Sequence, residues 1–264
     1  MRIIAGPCQH ESLEQSLEIA KECKRVCDEL EIDYVFKASF DKANRTSFKG
    51  LRGKGMHRTL EAFKTMKLEL AGLQTLTDVH DVKQVELIKN NYDDEVNILQ
   101  IPAFLCRQTD LIRACVDTGK IVNIKKGQFL APWDLKGIFS KTEGAKRVWI
   151  TERGTCFGYN NLVVDFTGLA YMLDNFGADI IFDVTHSVQR PGGLGGSSGG
   201  NRNYVPGLAR AGSALGIKNF FMEVHEDPDN APSDGPNMIP LKTLDKVVGD
   251  IVKYNYENRN TNTS

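Results

Sequence analysis

Short β-prone apolar runs alternate with helix-length amphipathic stretches along the whole chain, and this alternation narrows the possible folds most. Strands are predicted at 2–5, 33–37, 74–78, 96–101, 120–125, 147–151, 179–184 and 219–224. Helices are predicted near 12–30, 57–71, 81–90, 107–118, 133–145, 163–175, 204–215 and 239–254. Leu13, Leu17 and Ala20, then Val26 and Leu30, set the apolar stripe of the first helix, and Ser12 with Gln15 reads as a capping box. Eight strands alternating with eight helices over about 250 residues is the pattern of an α/β chain folded as a (β/α)8 TIM barrel. A doubly wound open sheet is the competitor, but no Gly-rich fingerprint follows the first strand. Residues 1–264 read as a single barrel domain, with 256–264 expected to be a frayed polar tail.

Charge excludes some partners. With 33 basic and 34 acidic residues, no global field draws in nucleic acid or a membrane surface. Basic residues therefore matter only where they cluster. No window approaches the roughly 18 apolar residues of a membrane span, and residues 1–7 hold no long apolar run. The six cysteines lack the spacing of a disulfide framework, and Cys23 with Cys27 reads as a pair of buried thiols rather than metal ligands. A cytoplasmic protein with reduced thiols is expected.

One such cluster follows the second strand, where Lys37, Lys42 and Arg45 fall within nine residues with only Asp41 as acidic neighbour. Cations at the end of a buried strand are costly unless an anion sits there, and Arg and Lys suit phosphate oxygens. A site for phosphorylated substrates is the functional reading, and a solvated basic loop is the competing one. Two long loops follow the seventh and eighth strands. Residues 189–202 hold six glycines and read as a mobile lid or a tolerated insertion, while 225–238 are polar.

In a barrel, functional side chains project from the C-terminal strand ends. Strands 2, 5 and 6 supply cations there. Strands 1, 7 and 8, which become neighbours on closure, supply Cys8, His186 and Glu223, with Asp234 from the last loop. That mixed set suits a borderline divalent ion, although an inert buried Cys8 fits the spacing as well. His225 is a rival ligand whose side chain is expected to alternate away from that of Glu223. His10, His57 and His80 read as cap, surface or supporting histidines.

Taken together, the strand-end motifs resemble the 3-deoxy-D-manno-octulosonate 8-phosphate synthase family over nearly the whole chain. They are Ala5-Gly6-Pro7-Cys8, Lys37-Ala38-Ser39-Phe40-Asp41-Lys42-Ala43-Asn44-Arg45, Gln100-Ile101-Pro102-Ala103-Phe104-Leu105, Asn123-Ile124-Lys125-Lys126, Glu152-Arg153-Gly154, Asp183-Val184-Thr185-His186-Ser187 and Ser233-Asp234-Gly235-Pro236. The resemblance implies a (β/α)8 barrel, usually a homotetramer with active sites near subunit boundaries. It implies condensation of phosphoenolpyruvate with D-arabinose 5-phosphate and water, releasing phosphate, in lipopolysaccharide inner-core synthesis. Cys8 resembles the metal-requiring class, which implies a divalent Zn, Fe, Mn or Co ion on Cys8, His186, Glu223 and Asp234. Asn44 resembles the arabinose-phosphate enzymes rather than the sister heptulosonate-phosphate synthases that use erythrose 4-phosphate. By the same resemblance, Lys42, Lys125, Arg153, Gln100 and the backbone at Ala103 would hold phosphoenolpyruvate, with Lys37 as a proton donor. Arg45 and Thr46 of a neighbouring subunit would take the phosphate of the sugar and Asn44 its hydroxyls, with Arg107 at that boundary and Gln189 in the substrate-binding set. Lys37, Lys42, His186 and Cys8 form the implied catalytic group. A non-catalytic phosphosugar-binding barrel is the alternative from another class.

Overall fold

The eight apolar runs become eight parallel strands: β1 (Arg2–Gly6), β2 (Asp33–Lys37), β3 (Gln74–Asp78), β4 (Ile98–Ile101), β5 (Ile121–Lys125), β6 (Arg147–Glu152), β7 (Asp179–Asp183) and β8 (Asn219–His225). A computed structural model describes residues 1–45, 47–176, 179–193, 195 and 198–261. Each strand pairs with the next, and β8 returns to β1 in the register Arg2↔Asn219 through Gly6↔Glu223, which closes the ring. Helices α1 (Leu13–Glu29), α2 (Met56–Glu69), α3 (Val82–Asn91), α4 (Thr109–Val116), α5 (Leu135–Phe139), α6 (Phe166–Phe176), α7 (Val205–Ala214) and α8 (Leu244–Thr261) follow the strands in turn. The fold is the predicted (β/α)8 barrel.

Side-chain alternation then builds the site. Ile4, Val35, Leu76, Ile98, Trp149, Ile181 and Phe221 pack together inside the ring, with Ile121 of β5 against them. A strand returns to the same face every second residue. Two positions further along therefore stand Gly6, Lys37, Asp78, Gln100, Asn123, Thr151, Asp183 and Glu223. An apolar floor thus carries a polar ring above it. The opposite faces meet the helices in a second core that includes Phe36, Phe63, Ile101, Ile124 and Phe182. Burial of each such side chain contributes about 1.5–3 kcal/mol.

Four local expectations change. Helix α5 is short because Pro132–Asp134 forms a 3-10 turn before it, and i→i+3 bonds from Lys141 and Thr142 lead to Gly144 at φ 82°. The eighth helix does not start at 239: Ile239–Pro240 lies as a short strand along β8, and the helix begins after a 3-10 turn at Leu241–Thr243. That helix runs to Thr261, past the predicted end near 254, and residues 262–264 lie outside the described ones. Only half of the α1 capping box forms. Ser12 Oγ accepts from Gln15 N at 3.2 Å, while the Gln15 side chain goes to Glu11, His225 and Glu226.

Candidate functional site

Above the apolar floor lies a cavity of about 590 Å³ whose wall includes Lys37, Lys42, Gln100, Lys125, Arg153 and Glu223. Gly6 is required for this arrangement, since a Cβ there would come within 2.1 Å of the Lys37 carbonyl oxygen. The close approach of β1 to β2 lets Lys37 Nζ donate to Cys8 O at 2.8 Å and stand 3.3 Å from Glu223 Oε1. Lys37 and Glu223 are both fully buried.

Cations collect on one side. Lys42 Nζ donates to Ser39 Oγ at 2.8 Å. Desolvation opposes the Lys42 ammonium, but Asp78, Glu223 and Asp234, together with Cys8 where its thiol is ionised, outweigh it and raise the pKa. Lys125 Nζ donates to Asp183 and lies 3.4 Å from the centre of the Phe221 ring. Burial brings Lys125 down to about 8, against the pull of Asp183 and with the help of Arg153 and Lys37. Arg153 donates from Nη2 to Gln189 Oε1 at 2.6 Å, and its Nε is buried without a partner. Gln100 is oriented by Asn123, whose amide donates to Gln100 Oε1 at 3.0 Å, and Asn123 Oδ1 accepts from Thr151 at 2.7 Å.

Anionic groups collect on the other side. Ligand atoms of Cys8, Glu223 and Asp234 lie within 4.8 Å of one another. Cys8 Sγ is 3.3 Å from Asp234 Oδ2, and Asp234 sits in the left-handed region at φ 54°. His186 Nε2 stands 3.7 Å from Glu223 Oε1 and 3.9 Å from Asp234 Oδ2. Its Nδ1 lies 2.8 Å from Asp183 Oδ2. Although burial opposes it, His186 and Lys125 hold Asp183 well below the usual carboxylate range. An ionised Asp183 only accepts, so His186 Nδ1 carries a proton and Nε2 is the ring nitrogen that faces the cluster.

These groups fit a divalent metal. Glu223 Oε2 is buried and has no partner. Burial and Glu223 together push the Cys8 thiol up, so a thiolate there needs a strong cation beside it. A thiolate, an imidazole nitrogen and two carboxylates form the donor set of a Zn, Fe, Mn or Co ion.

The rim holds the remaining predicted residues. The Arg45 guanidinium donates to Ser233 Oγ at 2.6 Å, to Pro232 O at 2.9 Å and to Leu51 O at 2.8 Å. Exposed Asn44 and buried Ala103 line the cavity, as do Pro191, Ser198 and Arg202 of the 189–202 loop. Gln189 pairs with Gly200 in a short antiparallel ladder at the base of that loop. Thr46, Leu194, Gly196 and Ser197 lie outside the described residues. Arg107 is exposed and apart from the cavity wall, and its carbonyl accepts from Lys141 at 2.7 Å.

Asp78, Asn123, Thr151 and Asp183 belong to the inward ring although the sequence reading assigns them no role. Counting two residues on from each inward apolar position would have found them. Asp78 lines the cavity with Oδ1 buried and unpartnered, and His80 Nε2 stands 3.2 Å from its Oδ2. His225 lies apart from the ligand cluster, but for a different reason than the one expected. Residues two apart on a strand share a face, so alternation does not separate it from Glu223. Hydrogen-bonding distances of 3.0 Å to Glu11 and 2.9 Å to Gln15 hold its ring elsewhere. His10 contacts Ser16 at 2.9 Å, and His57 is exposed beside Tyr92. Cys23 and Cys27 are buried free thiols, as expected.

Residues 1–255 match the DAHP synthetase I family. The chain is 54% identical over 254 residues to a 2-dehydro-3-deoxyphosphooctonate aldolase of Rickettsia bellii, covering 96% of this chain and 90% of that protein. It is 51% identical over 256 residues to the Brucella abortus protein of the same name, again covering 96% and 90%. The Caulobacter vibrioides protein of that name shares 50% over 256 residues, covering 96% and 87%. This chain belongs to the DAHP synthetase I family, on its 2-dehydro-3-deoxyphosphooctonate aldolase branch.

Proposed function

We propose that this chain is a 3-deoxy-8-phosphooctulonate synthase, condensing phosphoenolpyruvate with D-arabinose 5-phosphate and water and releasing phosphate. Half or more of its residues are shared with proteins carrying that aldolase name over 96% of its length, and this carries the assignment. The cavity supports it. Lys37, Lys42, Lys125 and Arg153 surround one end, enough positive charge for the phosphate and carboxylate of phosphoenolpyruvate. Arg45 and Asn44 at the rim would take the phosphate and hydroxyls of the sugar.

The reaction joins C3 of the enol phosphate to the aldehyde carbon while water adds at C2, and phosphate then leaves C2 to give the ketone. Positive charge develops at C2 and negative charge on the aldehyde oxygen, so fixed groups of both signs are needed. Glu223 and Asp183 supply buried negative charge beside the cations. Lys37, held by Cys8 O and Glu223, would deliver a proton to the developing alkoxide. Gln100, set by Asn123, would orient the carboxylate. Binding both reactants in one walled cavity supplies proximity, worth up to about 7–11 kcal/mol for well-aligned partners. A divalent Zn, Fe, Mn or Co ion would be held by Cys8, His186, Glu223 and Asp234 and would supply Lewis acidity.

A cytoplasmic homotetramer completes this reading. Exposed Phe104 at the cavity wall and exposed Phe48 and Leu51 on the Arg45 loop offer apolar surface for a neighbouring copy. No described helix is long and apolar enough to cross a membrane.

Phosphate release from phosphoenolpyruvate with the pentose phosphate or erythrose 4-phosphate tests the assignment, before and after chelation and Mn²⁺ add-back. Turnover with the pentose phosphate, lost on chelation and restored by metal, is expected. Turnover only with the tetrose phosphate would make the chain a heptulosonate synthase, and chelator-insensitive turnover would remove the metal. Light scattering of the same preparation should give four chains per particle, and a monomer would overturn the assembly.

A further inference from the structure

Besides the direct contact of Lys37 with Glu223, two side chains link Lys125 and Arg153 on the cation side of the cavity to the anionic side. Asp183 is fully buried and belongs to the polar ring of the barrel. Its Oδ2 accepts from Lys125 Nζ and from His186 Nδ1, the latter at 2.8 Å. Its Oδ1 accepts the backbone N–H of Thr185 at 3.1 Å and of His186 at 2.9 Å, so the carboxylate cannot turn without breaking the start of that loop. Gln189 makes the second tie. Its Oε1 accepts from Arg153 at 2.6 Å, and its Nε2 donates to Asp234 Oδ1 at 2.7 Å. Each tie has one end on a cation of the cavity, and the other on His186 beside the metal-competent cluster or on Asp234 within it.

We infer that Asp183 and Gln189 are positioning residues that couple anion binding at Lys125 and Arg153 to metal affinity at His186 and Asp234. The inference rests on the proposed function, which puts an anionic substrate on the first pair and a metal on the second. Its direction follows from the geometry. A substrate anion on Lys125 draws the ammonium away from Asp183. The freed carboxylate then bonds more strongly to the His186 N–H, making Nε2 a better donor atom. A substrate anion on Arg153 likewise loosens the guanidinium from Gln189, whose amide then holds Asp234 alone. Substrate and metal should therefore strengthen one another, and by linkage the factor is the same in both directions.

Through-space attraction between a substrate anion and a metal also gives positive coupling, so the variants must isolate the bridges. Asp183→Asn keeps the shape and removes the charge that answers Lys125. Gln189→Leu keeps most of the volume and removes both hydrogen bonds, and it guards against misfolding of the first variant. The measurement is Co²⁺ affinity with and without phosphoenolpyruvate alone, read from the thiolate-to-cobalt absorption, with circular dichroism as the folding control. No turnover enters the readout.

In the unaltered protein phosphoenolpyruvate should tighten Co²⁺ about fivefold or more, within the usual range of coupling between sites. In each folded variant that factor should fall by about half or more while both ligands still bind. An undiminished factor in a folded variant would overturn the coupling and leave the proposed function standing. Failure of the unaltered protein to bind phosphoenolpyruvate or Co²⁺ would instead overturn the proposed function beneath it.

Discussion

Lys125 sits at the end of an inward-facing strand with Phe221 beneath it and Asp183 beside it. Burial lowers its pKa from 10.5 to about 8, so its charge is full near neutrality and lost as pH rises through that value. Phosphoenolpyruvate needs the ammonium form. Its KM should therefore be flat below pH 7 and rise above pH 8, up to about tenfold per pH unit, and a flat profile to pH 9.5 would remove Lys125 from the binding set. Arg45 is held open at the rim by Ser233, Pro232 and Leu51, so its fork is preorganised. Arg45→Ala should raise the KM for arabinose 5-phosphate about tenfold or more, the loss of a hydrogen bond to a charged group. The KM for phosphoenolpyruvate should stay within about twofold. Equal losses for both substrates would overturn the two-phosphate arrangement.

Strands β1 and β2 meet so closely at Gly6 that any side chain there collides with the Lys37 carbonyl. The contact explains why a glycine stands between the apolar Ile4 and the functional Cys8, where the alternation would otherwise put an inward side chain. Gly6→Ala must push the two strands apart or shift their register. A destabilisation of about 1–3 kcal/mol is expected from overpacking, read from the denaturant midpoint. An unchanged midpoint would mean that the strand ends are free to yield. The strands and most helices were legible in the sequence because their hydrophobic periods are undiluted. The misplaced starts and stops, at α5 and α8, turn on Pro132, Gly144 and Pro240, whose effects are local and outweigh the wider pattern.

Closure of the ring between β1 and β8 brings Cys8 and Glu223 together across more than two hundred residues of chain. A metal bound there engages only the folded barrel, so it should stabilise the whole molecule. At a hundredfold excess over its dissociation constant that is about 2.7 kcal/mol. Chelation should lower the melting temperature by about 5–10 °C for a chain of this size, and metal add-back should restore it. Cys8→Asn should shrink that difference, and an unchanged chelator response in this variant would exclude Cys8 as a ligand.

The sequence by itself determined the barrel, because eight repeats of a two-residue and then a 3.6-residue period admit few other packings. It also singled out most of the strand-end residues, since buried cations and scattered ligand types are costly without a role. It could not assign Asp183 a role or show that Gln189 reaches Asp234, nor explain the place of His225. Their significance lies in which groups face them, and the deciding partners, Lys125 for Asp183, Arg153 and Asp234 for Gln189, and Glu11 and Gln15 for His225, are distant in sequence. Only the closed ring decided that Asp183 joins Lys125 to His186 and that Gln189 joins Arg153 to Asp234, because hydrogen bonds depend on position in space and not on order along the chain.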